Sequence, residues 1–368
     1  MRKEDNVMGA IYRLVILLAV TSCLSACVNG DKDVRNADTP SLMTVNLEGD
    51  KGVLAYDTIE TITPVLPENE VLAVISKVQY CNNRFYVLDS RQEQLTVFEK
   101  NGHYAGKLNR RGSGPGEYSG IADFDVTPDG KLYLLDVSQR KIHVYSADSL
   151  KPQADMSLES PGLKFAVTDS ADLYFENVYL GRGQRSKLVR YDSDNGRSET
   201  ILDYSLANED KAAGKGRTHL WRSGNTVLFY DRFSPNIYSL SDSAINIMFT
   251  LKTVNLPDES QIRQLIDQSK TAPGQRNRDN SPMIRDIQDV YITPDYTSIK
   301  VNSIPPQQLF IDNVSGEIME VTYDDRFNHC KPGAIGIAGD AFITTKYDSE
   351  KDTHNLVLYK LKRQSGNI

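Results

Sequence analysis

One short pattern of strand-forming residues recurs along the chain and constrains the fold more than any other feature. Residues 84–89 and 131–136 each consist of a basic residue, four apolar or aromatic residues and an aspartate, and a second apolar run begins six residues after each aspartate. Weaker copies begin near residues 173, 227, 298 and 341, so the pattern occurs six times with a mean spacing of about 51 residues. The four-stranded blades of β-propellers repeat at about 40–50 residues. The repeat therefore predicts six blades.

Turn-forming residues separate the strands of these copies. Asn82-Asn83, Asp129-Gly130 and residues 223–225 stand just before the first apolar run of their copies, where a hairpin turn is needed. The apolar runs alternate imperfectly with polar residues, as expected for strands that are covered on both faces by neighbouring blades. The pattern predicts an all-β fold, a six-bladed β-propeller spanning residues 42–368.

Two segments depart from the repeat. Residues 258–270 carry apolar side chains at helical spacing and predict a short helix in a loop inserted before the fifth copy. The sixth copy ends near Leu361 with its third strand, so one strand is missing there. We expect residues 42–66, which precede the first copy, to supply the outer strand of the sixth blade and close the ring.

The first 26 residues have the layout of a secretory signal peptide. Basic residues (Arg2, Lys3 and Arg13) precede the apolar run 14–20, which is shorter than the roughly 20 residues of a membrane span. Leu24-Ser25-Ala26-Cys27 resembles the lipobox of bacterial lipoproteins, and this resemblance implies cleavage before Cys27 and lipid attachment to it. An ordinary signal peptide with a coincidental cysteine is the alternative.

Residues 27–41 are polar, lack a periodic apolar pattern and predict a flexible tether. We therefore expect a lipoprotein of the outer membrane, periplasmic or surface-exposed, that contacts the membrane only through its anchor. The acidic residues that follow Cys27 resemble surface-export signals of Bacteroidetes lipoproteins.

The charge of the chain argues against one class of partner. The net charge is −7, and removal of residues 1–26 changes it to about −8. Nucleic-acid binding requires clustered Lys and Arg, whereas the densest basic segments here, 107–111 and 276–278, are short. We expect a monomer that binds no nucleic acid.

Part of the chain resembles the six-bladed β-propeller lipoproteins of Bacteroidetes, whose architecture is related to that of NHL-repeat propellers. The segments that carry this resemblance are residues 75–78, 85–89, 97–102, 111–118 and 123–126. The glycine-rich stretch 111–118 is the most specific part of the match, which spans about residues 70–150. The resemblance implies a fold and a cell-envelope location, because most members of that family have no assigned activity.

Candidate site residues follow from the expected blade geometry, because propeller sites gather charged residues around the central channel from several blades. Candidates for channel-facing or ligand-facing side chains are Arg84, Asp89, Glu117, Asp123, Arg222, Tyr230 and Arg285. Asp123 and Asp125 begin the innermost strand of the second copy, where carboxylates would suit Ca²⁺. No cofactor is predicted, because the sequence has no dense Asp/Asn loop of the calcium-binding type. The five histidines have no metal-ligand spacing, so no metal site is predicted and we expect each of them on the surface or in a loop.

Three further features have competing interpretations. The stretch 111–118 lacks the Lys-Ser/Thr ending of a phosphate-binding loop, which favours a tight connection between blades with Glu117 and Tyr118 directed to the channel mouth. Trp221 beside Arg222 suits either packing between blades or carbohydrate stacking. Cys81 and Cys330 belong to blades that are neighbours in a closed ring, so a disulfide across the seam is one option.

The absence of a Gly-x-Ser-x-Gly elbow or another local catalytic signature favours a binding or scaffold module over an enzyme. The leading hypothesis is a propeller that presents one face to a protein or glycan partner. The alternatives are a glycan lyase or hydrolase with its site at the channel mouth, and a sensor subunit.

Overall fold

The computed structural model describes ten segments of the chain: residues 43–168, 172–181, 184–193, 196–204, 219–241, 244–271, 283–284, 286–303, 307–322 and 333–364. The predictions for residues 1–26, for the tether 27–41 and for Cys27, Arg285 and Cys330 lie outside the described residues.

Almost all of the described chain is β-structure, with one helix, α1 (Glu259–Thr271). The strands are β1 (Met43–Asn46), β2 (Lys51–Ile62), β3 (Ile75–Cys81), β4 (Arg84–Asp89), β5 (Gln94–Glu99), β6 (Tyr104–Leu108), β7 (Asp123–Val126), β8 (Lys131–Asp136), β9 (Lys141–Ser146), β10 (Pro152–Ser157), β11 (Lys164–Val167), β12 (Leu173–Gly181), β13 (Gln184–Asp192), β14 (Arg197–Asp203), β15 (Leu220–Ser223), β16 (Thr226–Tyr230), β17 (Asn236–Leu240), β18 (Ile245–Lys252), β19 (Asp286–Ile292), β20 (Tyr296–Asn302), β21 (Gln307–Asp312), β22 (Ile318–Val321), β23 (Gly336–Ala338), β24 (Ala341–Asp348) and β25 (Thr353–Arg363).

Consecutive strands pair antiparallel in groups of four, in a propeller-like arrangement. Strands β3–β6, β7–β10 and β11–β14 form three separate sheets, and β15–β18 form a fourth to which β1 adds in parallel. The other eight strands form one sheet in the order β19-β20-β21-β22-β2-β25-β24-β23. The described strands therefore make four separate sheets and one eight-stranded sheet, where the repeat predicted six sheets.

Strand β2 joins the two halves of the eight-stranded sheet. Its first residues pair in parallel with β22, and the rest of it pairs antiparallel with β25, from Leu54 opposite Arg363 to Ile62 opposite Leu356. The prediction that the segment before the first copy supplies the outer strand of the last one is confirmed by this pairing. The parallel pairings of β1 and β2 were not predicted.

The first strands of the groups surround a common axis. Strands β3, β7, β11, β15, β19 and β23 each contact the next in this order, and β23 contacts β3. The first and second strands of each group are antiparallel. The first strands therefore begin, and the second strands end, at the same end of the ring. We call this end the channel mouth.

Six hydrophobic clusters form the core, and each combines residues from two successive groups of strands. Strand β4 shows the principle: Phe85 and Val87 pack in the cluster shared with β24 and β25, whereas Tyr86 and Leu88 pack in the cluster shared with β7–β9. Successive residues of a strand point to opposite faces, so both faces of β4 are buried. This double burial is the reason that its sequence has no polar face.

Helix α1 confirms the helix predicted for residues 258–270. Its N-terminus is capped by Asp258, whose Oδ1 accepts a hydrogen bond of 2.9 Å from the backbone N–H of Gln261. Ile266 is buried and anchors the helix. No helix within the described ranges has the length and apolar character that crossing a membrane requires.

The pairing of β2 with β22 and β25 predicts a position-specific loss of stability. Leu54 is fully buried in the cluster shared with Phe310 and Val357, whereas its neighbour Val53 points outward and is 42% exposed. We expect Leu54→Ala to lower the free energy of unfolding by about 2–5 kcal/mol, because it leaves a cavity. The matched variant Val53→Ala is expected to change it by less than about 0.5 kcal/mol. Equal effects in urea unfolding would contradict the placement of β2.

Candidate functional site

Three charged side chains meet at the channel mouth. Lys77, Asp123 and Lys164 stand at the same register level in three consecutive first strands, β3, β7 and β11. The Lys77 Nζ lies 2.9 Å and the Lys164 Nζ 3.9 Å from the same carboxylate oxygen, Oδ1 of Asp123. Burial opposes ionisation of Asp123, but the two ammonium groups outweigh it and hold its pKa below the ordinary value. We call these three residues the mouth cluster.

A second group of charges lies deeper along the same strands. The Arg222 Nε donates to both carboxylate oxygens of Asp125, at 2.8 and 3.0 Å, and the Arg222 Nη2 donates to the carbonyl of Val167. Gln79 Nε2 donates to Asp125 Oδ1 at 3.0 Å. Asp125 is fully buried, and this network ties together β3, β7, β11 and β15.

A buried histidine connects the next three groups of strands. The His219 Nδ1 lies 2.8 Å from Glu176 Oε1 on β12, and its Nε2 lies 2.6 Å from Asp286 Oδ1 at the start of β19. The backbone N–H of His219 also donates to Glu176 Oε2 at 2.8 Å. We call this arrangement the His219 clamp.

The His219 clamp stabilises the imidazolium form. Burial by itself would lower the pKa of His219, but the negative charges of Glu176 and Asp286 raise it to about 9. Both ring nitrogens then donate to carboxylates at neutral pH. His219 consequently serves as a cross-link between strand groups and not as a general base, which needs a free nitrogen.

Tyr230 and Asp231 lie beside the clamp. The Tyr230 hydroxyl accepts a hydrogen bond from the backbone N–H of Phe233 at 3.2 Å, and burial, followed by the charge of Asp286, raises its pKa. Asp231 forms a buried ion pair of 2.8 Å with Lys187. The end of β16 is therefore held by charge pairs on both sides.

Strand β19 has an irregular backbone where it reaches the axis. Its pairing with β20 shifts register between Gln288 and Tyr291, and Asp289 has a φ of 52°. Burial raises the pKa of Asp289, although Lys300 lies 3.4 Å away. Tyr291 is partly exposed. Desolvation by the surrounding protein raises its pKa most, and the negative charges of Asp289 and Asp123 raise it further. Its hydroxyl therefore stays protonated at neutral pH.

The other predicted site residues hold turns. Arg84 forms ion pairs with Glu99 at 3.0 Å and Asp148 at 3.2 Å. Asp89 is buried and accepts hydrogen bonds from three backbone N–H groups, those of Ala73, Arg91 and Gln92. Of the predicted residues, Asp123 and Arg222 lie on first strands at the axis. Tyr230 lies at the end of β16 and is buried in the core, so it does not face the channel.

Glu117 folds back on its own glycine-rich loop. Its Oε2 accepts a hydrogen bond of 3.0 Å from the backbone N–H of Gly114, and a side chain at Gly112 would collide with the same oxygen. Gly116 has a φ of 65°, which favours glycine. Tyr118 is buried, and its hydroxyl donates to the carbonyl of Leu108 at 2.9 Å. The expectation that Tyr118 is directed to the channel mouth is therefore wrong. The loop is a structural connection between β6 and β7.

The expectation that the histidines lie on the surface or in loops is wrong for two of them. His219 forms the clamp, and His143 is buried with its Nδ1 2.7 Å from Asp155. Both had partners on other strands that the sequence does not reveal. Among the described residues, no group of three His, Cys, Asp or Glu side chains is placed to hold a metal ion.

The structure places Trp221 in the core and leaves Cys81 partly exposed. Trp221 is 5% exposed and packs in the core cluster between β15–β18 and β19–β22, its ring edge toward His219 at 6.4 Å. Cys81 is a free thiol, half-buried, and burial raises its pKa. Its proposed disulfide partner Cys330 lies outside the described residues.

Most residues of the mouth cluster and of the His219 clamp were not predicted. Lys77, Lys164, Glu176 and Asp286 were not among the candidate residues, and His219 was expected on the surface or in a loop. One signal was available: Lys77 lies 46 residues before Asp123, which is close to the length of one repeat. Finding charge partners from this spacing requires the register of each first strand, and the weak later copies of the repeat do not reveal that register.

A cavity of about 350 Å³ lies elsewhere in the eight-stranded sheet. Its rim carries two exposed ion pairs, Lys360 with Asp340 at 2.6 Å and Lys362 with Asp57 at 2.7 Å. These charges neutralise one another in pairs, in contrast to the mouth cluster, where two ammonium groups share one carboxylate.

Comparison with known proteins identifies a family and a fold. A family profile described as "Domain of unknown function (DUF4934)" matches residues 68–358. A putative exported protein of Bacteroides fragilis NCTC 9343 has 16% identity and a TM-score of 0.68, with 88% of this chain and all of that chain covered. A member of the DUF4221 family from Bacteroides vulgatus ATCC 8482 has 10% identity and a TM-score of 0.52, with 85% and 99% covered. None of the curated proteins matches the chain. At these identities the likeness shows the fold alone.

Proposed function

We propose that this chain, which belongs to the DUF4934 family, is an exported lipoprotein whose six-bladed β-propeller binds a glycan at the channel mouth. The binding role, the anchor at Cys27 and the number of blades are parts of this proposal. A protein partner is the competing possibility and is addressed by the same experiment.

Two observations support six blades. The eight-stranded sheet divides at the contact of β2 with β22 into two groups of four, each with its own first strand at the axis. The six core clusters each lie between successive groups, and the last cluster joins β24 and β25 to β4. This is the packing of a closed ring, in which few sheet edges are exposed.

The mouth cluster is the observation that carries the binding function. Its charges come from three different strands and are fixed by ion pairs, yet the Lys77 and Lys164 side chains are 29% and 27% exposed. A glycan is favoured over a protein because the cluster lies at the axis of the ring, which a single sugar unit can reach but a broad protein surface cannot.

The cellular location rests on the N-terminal sequence. The signal-like residues 1–26 and the lipobox-like residues before Cys27 support export and lipid attachment. The structural relative from Bacteroides fragilis is itself described as a putative exported protein.

Lipid attachment can be tested directly. In a Bacteroidetes host fed with an alkyne-labelled palmitate analogue, we expect the full-length chain to incorporate the label and to fractionate with membranes, because two or three acyl chains anchor firmly. The variant Cys27→Ser is expected to lose the label and the membrane association, whereas Cys23→Ser retains both. Labelling of the Cys27→Ser chain would contradict the assignment.

The binding function calls for a screen with purified protein. Residues 27–368 carrying Cys27→Ser, applied to an array of neutral, uronate-bearing and sulfated glycans, are expected to bind at least one class without altering it. Release of unsaturated or shortened products would show a lyase or hydrolase instead. Binding to no glycan would contradict the proposed function.

A further inference from the structure

We infer that the mouth cluster recognises a carboxylate group of its ligand, such as that of a uronic acid unit. This inference rests on the proposed function, because it names the chemical group that the same site accepts.

The charge balance of the mouth cluster points to an anion. Two ammonium groups face one carboxylate, so the cluster carries one surplus positive charge. The neighbouring charges do not cancel it, since Asp125 is paired with Arg222 and Asp289 lies beside Lys300. The two carboxylates of the His219 clamp are balanced by His219 and by Arg232, whose Nε lies 3.9 Å from Asp286. An exposed, uncompensated positive charge inside a concave site attracts anions more strongly than one on an open surface does.

The two lysines are held in position before any ligand arrives. The Lys77 Nζ also donates to the carbonyl of Phe124 at 2.6 Å, and the Lys164 Nζ donates to the carbonyl of Ala122 at 3.2 Å. Each ammonium group has three N–H donors, so these contacts leave donors for a ligand oxygen. Fixing long side chains in advance lowers the entropic cost of binding.

The contacts of Asp123 show which chemical group the two lysines bind. Its Oδ1 receives Lys77, and the backbone N–H of Phe124 donates to the same oxygen at 2.9 Å. A carboxylate therefore already occupies the position between the two ammonium groups, and a ligand carboxylate can share them from the open side.

Three variants separate this recognition from a structural role. Lys77→Met and Lys164→Met are each expected to weaken binding of oligogalacturonate about tenfold, because each removes a charged hydrogen bond. Asp123→Asn is expected to strengthen it several-fold, because it removes the competing negative charge while keeping an acceptor oxygen. Lys51→Met is the control, since Lys51 pairs with Glu320 at 2.8 Å on the outer strand β2. Circular dichroism verifies the fold of each variant.

Titration calorimetry with oligogalacturonate and with neutral oligogalactose distinguishes the outcomes. Binding of the acidic oligomer alone, with opposite effects of the Lys and Asp variants, is the expected result. Equal binding of both oligomers, unchanged by Lys77→Met and Lys164→Met, would overturn the carboxylate inference and leave the proposed function intact. Preference for sulfated over uronate-bearing glycans on the array would also overturn it. Failure of all glycans to bind would contradict both.

Discussion

Replacing His219 by glutamine is expected to lower the free energy of unfolding by about 3–5 kcal/mol at pH 7, because it leaves Glu176 and Asp286 buried without their shared cation. Urea unfolding of the wild type and the variant measures the difference. His103→Gln is the matched control, since the His103 side chain is exposed in the turn between β5 and β6, and we expect it to change stability by less than about 0.5 kcal/mol. Similar losses in both variants would rule out the clamp.

The clamp also predicts how stability depends on pH. The pKa of His219 is about 9 in the folded chain, above its ordinary value of 6.5, so the folded state holds this proton more tightly than the unfolded state does. The resulting stabilisation of about 3 kcal/mol is fully present below pH 6.5 and is lost as the pH rises through 9. The melting temperature of the wild type should therefore fall across this window more steeply than that of His219→Gln. Parallel curves for the two proteins would mean that His219 is not protonated in the folded chain.

The second large effect is expected at the buried pair of Asp125 and Arg222, whose side chains are 0% and 4% exposed. We expect Asp125→Asn and Arg222→Met each to cost about 3–5 kcal/mol, because each leaves one charge buried without its counter-charge. The double variant should cost less than the sum of the two, since it removes both charges, with a coupling of about 2–3 kcal/mol.

An exposed pair provides the control for this cycle. Lys362 and Asp57 lie 2.7 Å apart at the surface, with side chains 62% and 43% exposed. Solvent screens such pairs, so the same cycle with Lys362→Met and Asp57→Asn is expected to show no measurable coupling. Equal coupling in the two cycles would contradict the buried network that joins β7 to β15.

The sequence revealed the strands because each repeat is a local pattern. Local residue types predicted the hairpins of residues 84–99 and 131–146 and the helix near 258–270. A count of strands predicted the closing strand before the first copy. The parallel contacts of β1 with β18 and of β2 with β22 did not follow. These pairings join segments roughly 200–270 residues apart in the sequence, and nothing in the local sequence specifies such partners.

Few residues of the candidate site were predictable: Asp123 in the mouth cluster, Asp125 and Arg222 in the deeper charge group, and none of the three residues of the His219 clamp. Asp123 was identified because it begins an innermost strand, where side chains approach the axis. The clamp was not identified, because Glu176 and Asp286 lie 43 and 67 residues from His219 and belong to the weaker copies of the repeat. A charge in a propeller is paired with residues of the next group of strands, so its partner depends on the register of two strands at once.

A crystal structure of residues 41–368 is the most direct test, because the glycan-binding function and the carboxylate inference both depend on the ring and its charged mouth. It should show six four-stranded blades with β2 as the outer strand of the last, His219 between Glu176 and Asp286, and Lys77 and Lys164 on Asp123 at the open end of the channel. A different number of blades, or a mouth in which Lys77 and Lys164 point away from each other, would contradict it.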